Sequence, residues 1–200
     1  MSSVVPEWKG LRKNMDNPLH AICSYMAMFP ASLPYIFINK YSKEGDVVLD
    51  PFSGRGTTVL QSCLMGRKGI GNDRNPLAYL LTKAKSNVPS KKRLLERISE
   101  LEKEFDSKKV KIDNENENIK MIFSDYTLKQ LKFLKNKLSW KNKNIDCFIA
   151  AMITGIIHGG SSGYLSVSMP NTFSMSPNYI KNYIRIHSLQ KPKRDVFSIL

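Results

Sequence analysis

Cysteine is scarce in this sequence, and no long hydrophobic run occurs in it. The three cysteines, Cys23, Cys63 and Cys147, are widely spaced and form no CxxC pair, so neither a disulfide framework nor a metal site is expected. The longest apolar run, residues 147–157, covers 11 positions, whereas a membrane-spanning helix needs about 20. The N-terminus has no basic stretch followed by an apolar one, so no signal peptide is expected. We therefore expect a protein of the reducing cytoplasm, without a metal and without a membrane span.

Acidic side chains are also few relative to basic ones. Thirty-one Lys and Arg residues stand against 17 Asp and Glu in a chain of 200 residues, giving a formal net charge of +14. The excess is +7 in each half of the chain, so no detachable basic tail accounts for it. A basic globular domain is typical of proteins that bind a polyanion, nucleic acid in preference to a membrane. The lysine-rich usage of an AT-biased genome is the alternative explanation.

Hydrophobic residues make up 42% of the chain, which is enough for a packed core, and their pattern predicts alternating helices and strands in its first part. The predicted elements are helix 30–42, strand 46–50, helix 57–65, strand 68–72 and helix 76–85. Thr57 is the expected N-cap of the second helix, and Pro76 occupies the first turn of the third. This order of strand, loop and helix is typical of the beginning of a parallel α/β sheet.

The character of the sequence changes after Pro89, and the remainder is predicted to be mainly helical. The predicted elements are helices 90–108, 127–139, 145–157 and 177–187, a polar linker at 113–118, and an irregular Gly/Ser-rich segment at 158–176 containing a short strand at 164–168. We therefore expect two regions, an α/β region over residues 1–89 and a helical insertion over residues 90–200.

Residues 50–57 connect the first predicted strand to the following helix and form a candidate binding loop. Its glycines, Gly54 and Gly56, allow a sharp turn and a close approach of a ligand to the backbone. The helix N-terminus offers free N–H groups that suit a carboxylate. Asp73 ends the second strand, where Rossmann-like folds place an acid that accepts hydrogen bonds from ribose. The loop lacks the lysine of a P-loop, and its GxGxxG fingerprint is incomplete.

This loop and its flanks resemble a known family. The run LDPFSGRGTT, preceded by SYMAMFPASLPYIFINKY and followed by GIGNDRNPLAYLLTKAK, is similar to the DNA amino-methyltransferases, which use S-adenosylmethionine to methylate N4 of cytosine or N6 of adenine. The resemblance covers residues 20–85. It implies an enzyme with a Rossmann-like methyltransferase sheet, DNA as its partner, and a place in a restriction–modification system or as an orphan methyltransferase.

The resemblance also implies roles for particular residues. In the family this loop holds the methionine part of the cofactor, which assigns that role to Asp50, Pro51, Phe52, Ser53, Gly54, Gly56 and Thr57. Asp73 matches the ribose-binding acid, and Asn75 matches a residue beside the adenine. An upstream aromatic element that lies against the same pocket matches at Tyr25, Ala27, Phe29 and Pro30.

The catalytic loop of that family, [S/D/N]-P-P-[Y/F/W], has no counterpart, because the sequence contains no Pro-Pro pair. The nearest segment is Ser176-Pro177-Asn178-Tyr179. It is either a degenerate catalytic loop or a helix start with Ser176 as the cap and Pro177 as the first residue, and we favour the helix start. Only two strands of the sheet are evident as well. We therefore expect an incomplete enzyme, inactive alone, whose missing part or second polypeptide carries the catalytic loop.

A basic group near the C-terminus supplies the candidate contacts with DNA. It consists of Lys181, Arg185, Lys191, Lys193 and Arg194. A solvated charged face is the alternative explanation for these residues. For the protein as a whole, the alternatives are an RNA or protein methyltransferase with the same cofactor fold, and a non-catalytic nucleic-acid-binding remnant that keeps the loop.

Overall fold

A computed structural model of the protein describes residues 17–160, 163–169 and 175–200. The chain forms two compact units. The first unit comprises Met1–Pro89 and Trp140–Ala151, and the second comprises Ser90–Ser139 and Met152–Leu200. No helix in the described ranges has the length and apolar character needed to cross a membrane.

The first unit contains a parallel pair of strands, β1 (Val47–Asp50) and β2 (Lys68–Gly71). Their register places Leu49 opposite Ile70. The crossover between them is helix α2 (Thr57–Leu64), which packs on β2. The predicted parallel α/β arrangement is confirmed for these two strands, which lie within a residue of their predicted bounds.

Two further helices flank this pair, α1 (Ser32–Tyr41) and α3 (Pro76–Ser86), and both pack on α2. Helix α3 begins as predicted, with Pro76 in its first turn and the Asn75 side chain accepting a hydrogen bond from the Leu77 N–H. The predicted cap of α2 is wrong. Gly56 precedes that helix in the left-handed conformation, with φ +77°, and no side chain caps it. Thr57 is instead the first residue of the helix.

The two faces of the small sheet differ in what covers them. On one face, Gly69 and Gly71 allow α2 to approach, because an added Cβ would lie only 2.7 Å from the Val59 carbonyl oxygen or 2.9 Å from the Val59 side chain. On the other face, Val47, Leu49 and Ile70 are each at least half exposed. Parallel sheets are ordinarily buried on both faces, so this face is unusually exposed to solvent.

The remaining helices have the predicted order with small differences in their bounds. They are α4 (Lys91–Glu104), α5 (Glu117–Lys120), α6 (Asp125–Lys137), α7 (Asn144–Ile156), α8 (Pro177–Ile186) and α9 (Val196–Ile199). Helix α5 overlaps the predicted linker at 113–118, and α9 had no sequence-based counterpart. In the second unit α9 packs on α4 and α6, where Phe105, Phe133 and Phe197 form an aromatic cluster with ring centroids 5.5–6.4 Å apart.

The predicted strand at 164–168 is wrong. Residues 163–169 are described and contain no strand. Their backbone N–H groups donate to carbonyls of a helix end and of loops, as Leu165 does to Ile156 at 3.0 Å and Val167 does to Ile122 at 2.9 Å. Without a neighbouring strand, no ladder of hydrogen bonds forms. Part of the surrounding segment, residues 161–162 and 170–174, lies outside the described residues.

Candidate functional site

The loop between β1 and α2 folds into a tight turn held by its own backbone and by the end of β2. The Phe52 N–H donates to Oδ1 of Asp50 at 3.1 Å. The Ser53 N–H donates to the carbonyl of Asn72 at 3.0 Å, and the Gly56 N–H returns to the carbonyl of Ser53 at 2.7 Å. Because Gly54 and Gly56 both have positive φ, this path suits glycine at these positions.

Asp73 braces the loop from the end of the second strand. Its Oδ2 accepts a hydrogen bond from the Gly54 N–H at 2.8 Å, and its Oδ1 accepts one from the Asn75 N–H at 2.8 Å. One carboxylate therefore fixes the loop after β1 to the turn after β2. A carboxylate accepts about four hydrogen bonds, so Asp73 keeps the capacity to bind ligand hydroxyls. The sequence predicted the acceptor but not the brace.

The upstream aromatic element reaches the loop through Tyr25. The Tyr25 hydroxyl accepts a hydrogen bond from Nδ2 of Asn75 at 2.9 Å. Its ring lies 3.6 Å from the position that a Cβ on Gly54 would occupy. The structure thus brings Tyr25, Gly54, Asp73 and Asn75 together. Phe29 instead lines an apolar groove of about 430 Å³ beside α1 and β1.

The outer side of the loop presents chemically varied groups. The Phe52 side chain is 86% exposed, and Asp50 is half-buried with one carboxylate oxygen turned to its own loop. Ser53, Gly56 and Thr57 are buried and form the inner side of the turn. The first turn of α2 adds backbone N–H groups at the positive end of the helix dipole. The site therefore combines carboxylate acceptors, N–H donors and an aromatic surface. Among the described residues, no group of three or more His, Cys, Asp and Glu side chains is arranged to hold a metal.

Helix α3 supports the loop from behind through two residues that the sequence reading missed. A Cβ on Gly56 would lie 2.7 Å from Oγ1 and 2.8 Å from Cα of Thr82, so the helix touches the loop backbone directly. One turn later, Nζ of Lys85 donates to the carbonyl of Arg55 at 2.7 Å. Lys85 is only 3% exposed. Its helical spacing from Ala78 and Leu81, which are both buried, is the signal that could have identified it.

A buried histidine lies on the inner side of α2. His20 is fully buried, and its Nε2 is hydrogen-bonded to Oε1 of Gln61 at 3.2 Å. Burial, together with the nearby cations Lys85 and Arg55, lowers the pKa of His20 to about 4, although the Gln61 hydrogen bond acts in the opposite direction. The imidazole is therefore neutral at pH 7.

The segment proposed as a degenerate catalytic loop begins a helix. Oγ of Ser176 accepts a hydrogen bond from the Tyr179 N–H at 3.3 Å, and Pro177 occupies the first turn of α8. Asn178 and Tyr179 are exposed within that turn. Ser176 and Pro177 thus have the geometry that the capping interpretation predicts.

The five basic candidates for DNA contact divide into two groups. Lys181 and Arg185 are exposed on α8 and make no ion pair with any described residue. The other three contact the body of the second unit. Nζ of Lys191 donates to the Lys120 carbonyl, Nζ of Lys193 lies 5.2 Å from the centroid of the Tyr126 ring, and the Arg194 backbone pairs with the Thr127 hydroxyl.

Comparison with known proteins supports the family resemblance of the loop region. A family model for N6/N4 methyltransferases, described as DNA methylase, matches residues 5–84. Over these residues the chain is similar to the N6/N4 DNA methylases. The matched residues include the loop, Asp73, Asn75 and Tyr25. Residues 5–16 of the matched segment lie outside the described ranges.

Individual methyltransferases are similar to parts of the chain. The type II methyltransferase M.MjaII of Methanocaldococcus jannaschii is 29% identical over 140 residues, which is 68% of this chain and 26% of that protein. M.MthZI of Methanothermobacter thermautotrophicus is 51% identical over 45 residues, and the orphan methyltransferase M.BamHII of Bacillus amyloliquefaciens is 47% identical over 47. These two matches cover 22% and 24% of this chain and 13% and 18% of the relatives.

Each of these matches covers only a minor part of the relative. The chain spans about a quarter of the length of M.MjaII and less of the other two relatives. No solved structure matches the chain.

Proposed function

We propose that this chain is the S-adenosylmethionine-binding part of a site-specific DNA methyltransferase that acts on N4 of cytosine or N6 of adenine. The observation that carries the proposal is the braced loop, in which Asp73 joins the turn after β1 to the turn after β2. We assign cofactor binding to residues 1–89, as the first part of a Rossmann-like sheet. Residues 90–200 are assigned to a helical insertion that contributes to target recognition.

The residues of the loop region fit this cofactor chemically. Asp73 has acceptor capacity left for the two ribose hydroxyls, and Tyr25 and Asn75 supply an aromatic ring and an amide for an adenine. The α2 N-terminus suits the carboxylate of the methionine part, and Asp50 suits its ammonium group. The exposed ring of Phe52 covers apolar surface of a bound molecule. S-adenosylmethionine supplies an electrophilic methyl group on a sulfonium.

The sequence has no counterpart of the loop that holds the target amine in this family. An exocyclic amine is a poor nucleophile because its lone pair is delocalised into the ring, so it must be positioned by acceptors in line with the methyl group. The family uses a [S/D/N]PP[Y/F/W] loop for this, and the sequence contains no Pro-Pro pair. We assign the catalytic loop to a polypeptide segment other than these 200 residues. Ser176, Pro177, Asn178 and Tyr179 are assigned to the start of α8.

The exposed face of the sheet is the proposed binding surface for that segment. Val47, Leu49 and Ile70 are 59%, 63% and 50% exposed on a sheet of only two parallel strands. Such sheets are stable when helices cover both faces, and their open edges pair readily with further strands. The segment that carries the catalytic loop is expected to bury these three side chains.

DNA is the proposed partner, bound in part through α8. Lys181 and Arg185 are available for phosphates, because both are exposed and have no acidic partner among the described residues. The net charge of +14 favours a polyanion over a neutral partner. Lys191, Lys193 and Arg194 are assigned weaker contributions, since each already has contacts in the second unit.

Radiolabelled methyl transfer to mixed-sequence DNA tests this function. The chain alone should give no transfer, and transfer should appear when a polypeptide carrying a [S/D/N]PP[Y/F/W] loop is added. The matched control is the same mixture with Asp73→Ala in this chain. Robust transfer by the 200 residues alone, abolished by Asn178→Ala or Tyr179→Ala, would show that the start of α8 is a catalytic loop after all.

A further inference from the structure

Lys85 is a charged residue in a position where apolar residues are usual. It lies in the last turn of α3 and is 3% exposed, and its neighbours Leu81 and Ala84 are fully buried. Taking an ammonium group out of water is costly unless its donors are satisfied. Lys85 donates a hydrogen bond to the carbonyl of Arg55, 2.7 Å away, inside the candidate cofactor loop.

This hydrogen bond restrains the Arg55–Gly56 peptide, which lies in the most flexible part of the loop. Arg55 lies between Gly54 and Gly56, which have φ of +50° and +77°. Glycines on both sides give this peptide more conformational freedom than any other pair of neighbours would. The Gly56 N–H donates to the Ser53 carbonyl at 2.7 Å, while Lys85 binds the Arg55 carbonyl. The Arg55–Gly56 peptide is thus fixed at both of its polar atoms.

Burial of the charged Lys85 ammonium group is unfavourable for the stability of the fold. Burial lowers the pKa of Lys85 to about 8, the nearby Arg55 guanidinium adds to this, and Cys23 acts in the opposite direction. His20 is the other titratable group that senses this charge. Lys85 therefore remains charged at pH 7 in a site that disfavours charge. The cost of burying the ammonium offsets much of what its hydrogen bond contributes to stability, so the position of the Arg55 carbonyl is the main structural consequence of a lysine here.

We propose that Lys85 is a positioning residue that holds the Arg55–Gly56 peptide in the orientation required for cofactor binding. The inference rests on the proposed function, in which this loop receives the methionine part of S-adenosylmethionine. Lys85 acts from the inner side of the loop, through the backbone.

The chain offers a matched control on the same helix. Lys83 lies two residues earlier in α3, and its Nζ also donates to a backbone carbonyl, that of Lys141 at 2.6 Å. That carbonyl lies away from the loop, in the segment Trp140–Ala151 of the same unit. Lys83→Met and Lys85→Met therefore remove the same type of hydrogen bond from the same helix, and only Lys85→Met changes the loop.

The test is calorimetric titration of S-adenosylmethionine into the whole chain and its two variants at pH 7, with the thermal midpoint of each protein measured in parallel. Lys85→Met should weaken binding about tenfold, as expected for one charge-assisted hydrogen bond. Its thermal midpoint should equal or exceed that of the wild type. Lys83→Met should bind the cofactor as the wild type does.

The pH dependence of binding gives a second, independent readout. As the pH rises through about 8, Lys85 loses its charge and the affinity advantage of the wild type over Lys85→Met should shrink. Cys23, Arg55 and the cofactor amine are common to both proteins. The pKa of His20 is about 4, well below this pH range, so His20 stays neutral in the comparison. The advantage of the wild type over Lys83→Met should be absent at every pH.

The outcomes separate this inference from the function on which it rests. A wild type that gives no binding heat would overturn the proposed function, and this inference with it. Wild-type binding with equal affinity for Lys85→Met would overturn the positioning role alone. If Lys85→Met has both a lower thermal midpoint and a lower affinity than the wild type, or does not fold, Lys85 has a structural role. That result would likewise overturn the proposal.

Discussion

The loop after β1 and helix α8 are proposed to contact the two substrates, and they are built in opposite ways. The loop is held from several sides, by the Asp73 carboxylate, by the Lys85 ammonium and by close contact with Thr82. None of the ten residues of α8 is buried. Its contacts are local: the Ser176 cap, a stack of Tyr179 on Tyr183, and a tilted ring contact between Tyr183 and His187.

This difference follows from what each region is proposed to bind. A small ligand gains affinity when the groups around it are already fixed, because less conformational entropy is lost on binding. A polyanion is attracted by charge over a distance, and released counterions supply much of the free energy. The loop therefore requires order, and α8 requires exposed cations.

The largest expected effect is the loss of order in the loop. Gly56→Ala places a Cβ 2.7 Å from Oγ1 and 2.8 Å from Cα of Thr82, in addition to the strain of φ +77°. We expect the free energy of unfolding to fall by about 3 kcal/mol in urea denaturation. Gly45→Ala is the matched control, since Gly45 has φ +87° with nothing within 4 Å of its Cβ. It should cost about 1 kcal/mol, and equal losses would contradict the role of Thr82.

Acid should weaken the fold of the first unit through His20. The folded-state pKa of His20 is about 4, against an ordinary value of 6.5, so the unfolded chain binds the proton more tightly. The stability is fully present above pH 6.5 and is lost as the pH falls towards 4, by about 3 kcal/mol. Urea denaturation at a series of pH values measures this loss. In His20→Gln the slope over this range should be smaller, and an unchanged slope would refute the assignment.

Removing the cations of α8 should change the salt dependence of DNA binding. Lys181→Gln with Arg185→Gln should flatten the slope of log affinity against log salt by about 0.9 for each lost phosphate contact. The effect should be the same for unrelated DNA sequences. The control, Lys191→Gln with Lys193→Gln, should change the slope less, because these lysines already contact Lys120 and Tyr126. If the α8 double variant has the same salt slope as the wild type, Lys181 and Arg185 do not contact phosphates and form a solvated charged face.

The smallest expected effect contrasts two serine caps. Ser124 caps α6, which contributes buried residues to the core, whereas Ser176 caps α8, which contributes none. Ser124→Ala should lower the free energy of unfolding by about 1 kcal/mol. Ser176→Ala should fray α8 locally and leave the global value within about 0.5 kcal/mol. Thermal denaturation measures the first, and amide exchange of the α8 residues measures the second.

The parts predicted well from the sequence are those specified by local chemistry. Pro76 after Asn75 and Pro177 after Ser176 both begin helices as predicted, because a capping side chain and a proline act within one turn. The two strands were also predicted. β1 is a short apolar run between turns, whereas β2 has one large apolar residue, Ile70, between two glycines. The predicted strand at 164–168 failed because a strand requires a partner, and the local sequence does not specify one.

The contacts at the loop depend on tertiary structure and were beyond sequence reading. Asp73 could be identified by its place after β2, but its bond to Gly54 joins two loops that are 19 residues apart. The support from Thr82 and Lys85 depends on how α3 packs against α2. The residue that precedes α2 is Gly56, whereas Thr57 was predicted there. The five basic candidates looked equivalent in sequence, and only their contacts separate Lys181 and Arg185 from the rest.

The most direct test of the account is whether the braced loop binds S-adenosylmethionine. Calorimetric titration should show one site in the wild type, and Asp73→Ala should weaken it by roughly 1.5–3 kcal/mol, because it removes both the brace and the ribose acceptor. Gly54→Val should also weaken binding. Asp46→Ala is the control, since Asp46 also accepts a backbone N–H, from Lys43, but before β1 begins. Binding equal in the wild type, Asp73→Ala and Gly54→Val would contradict the central claim.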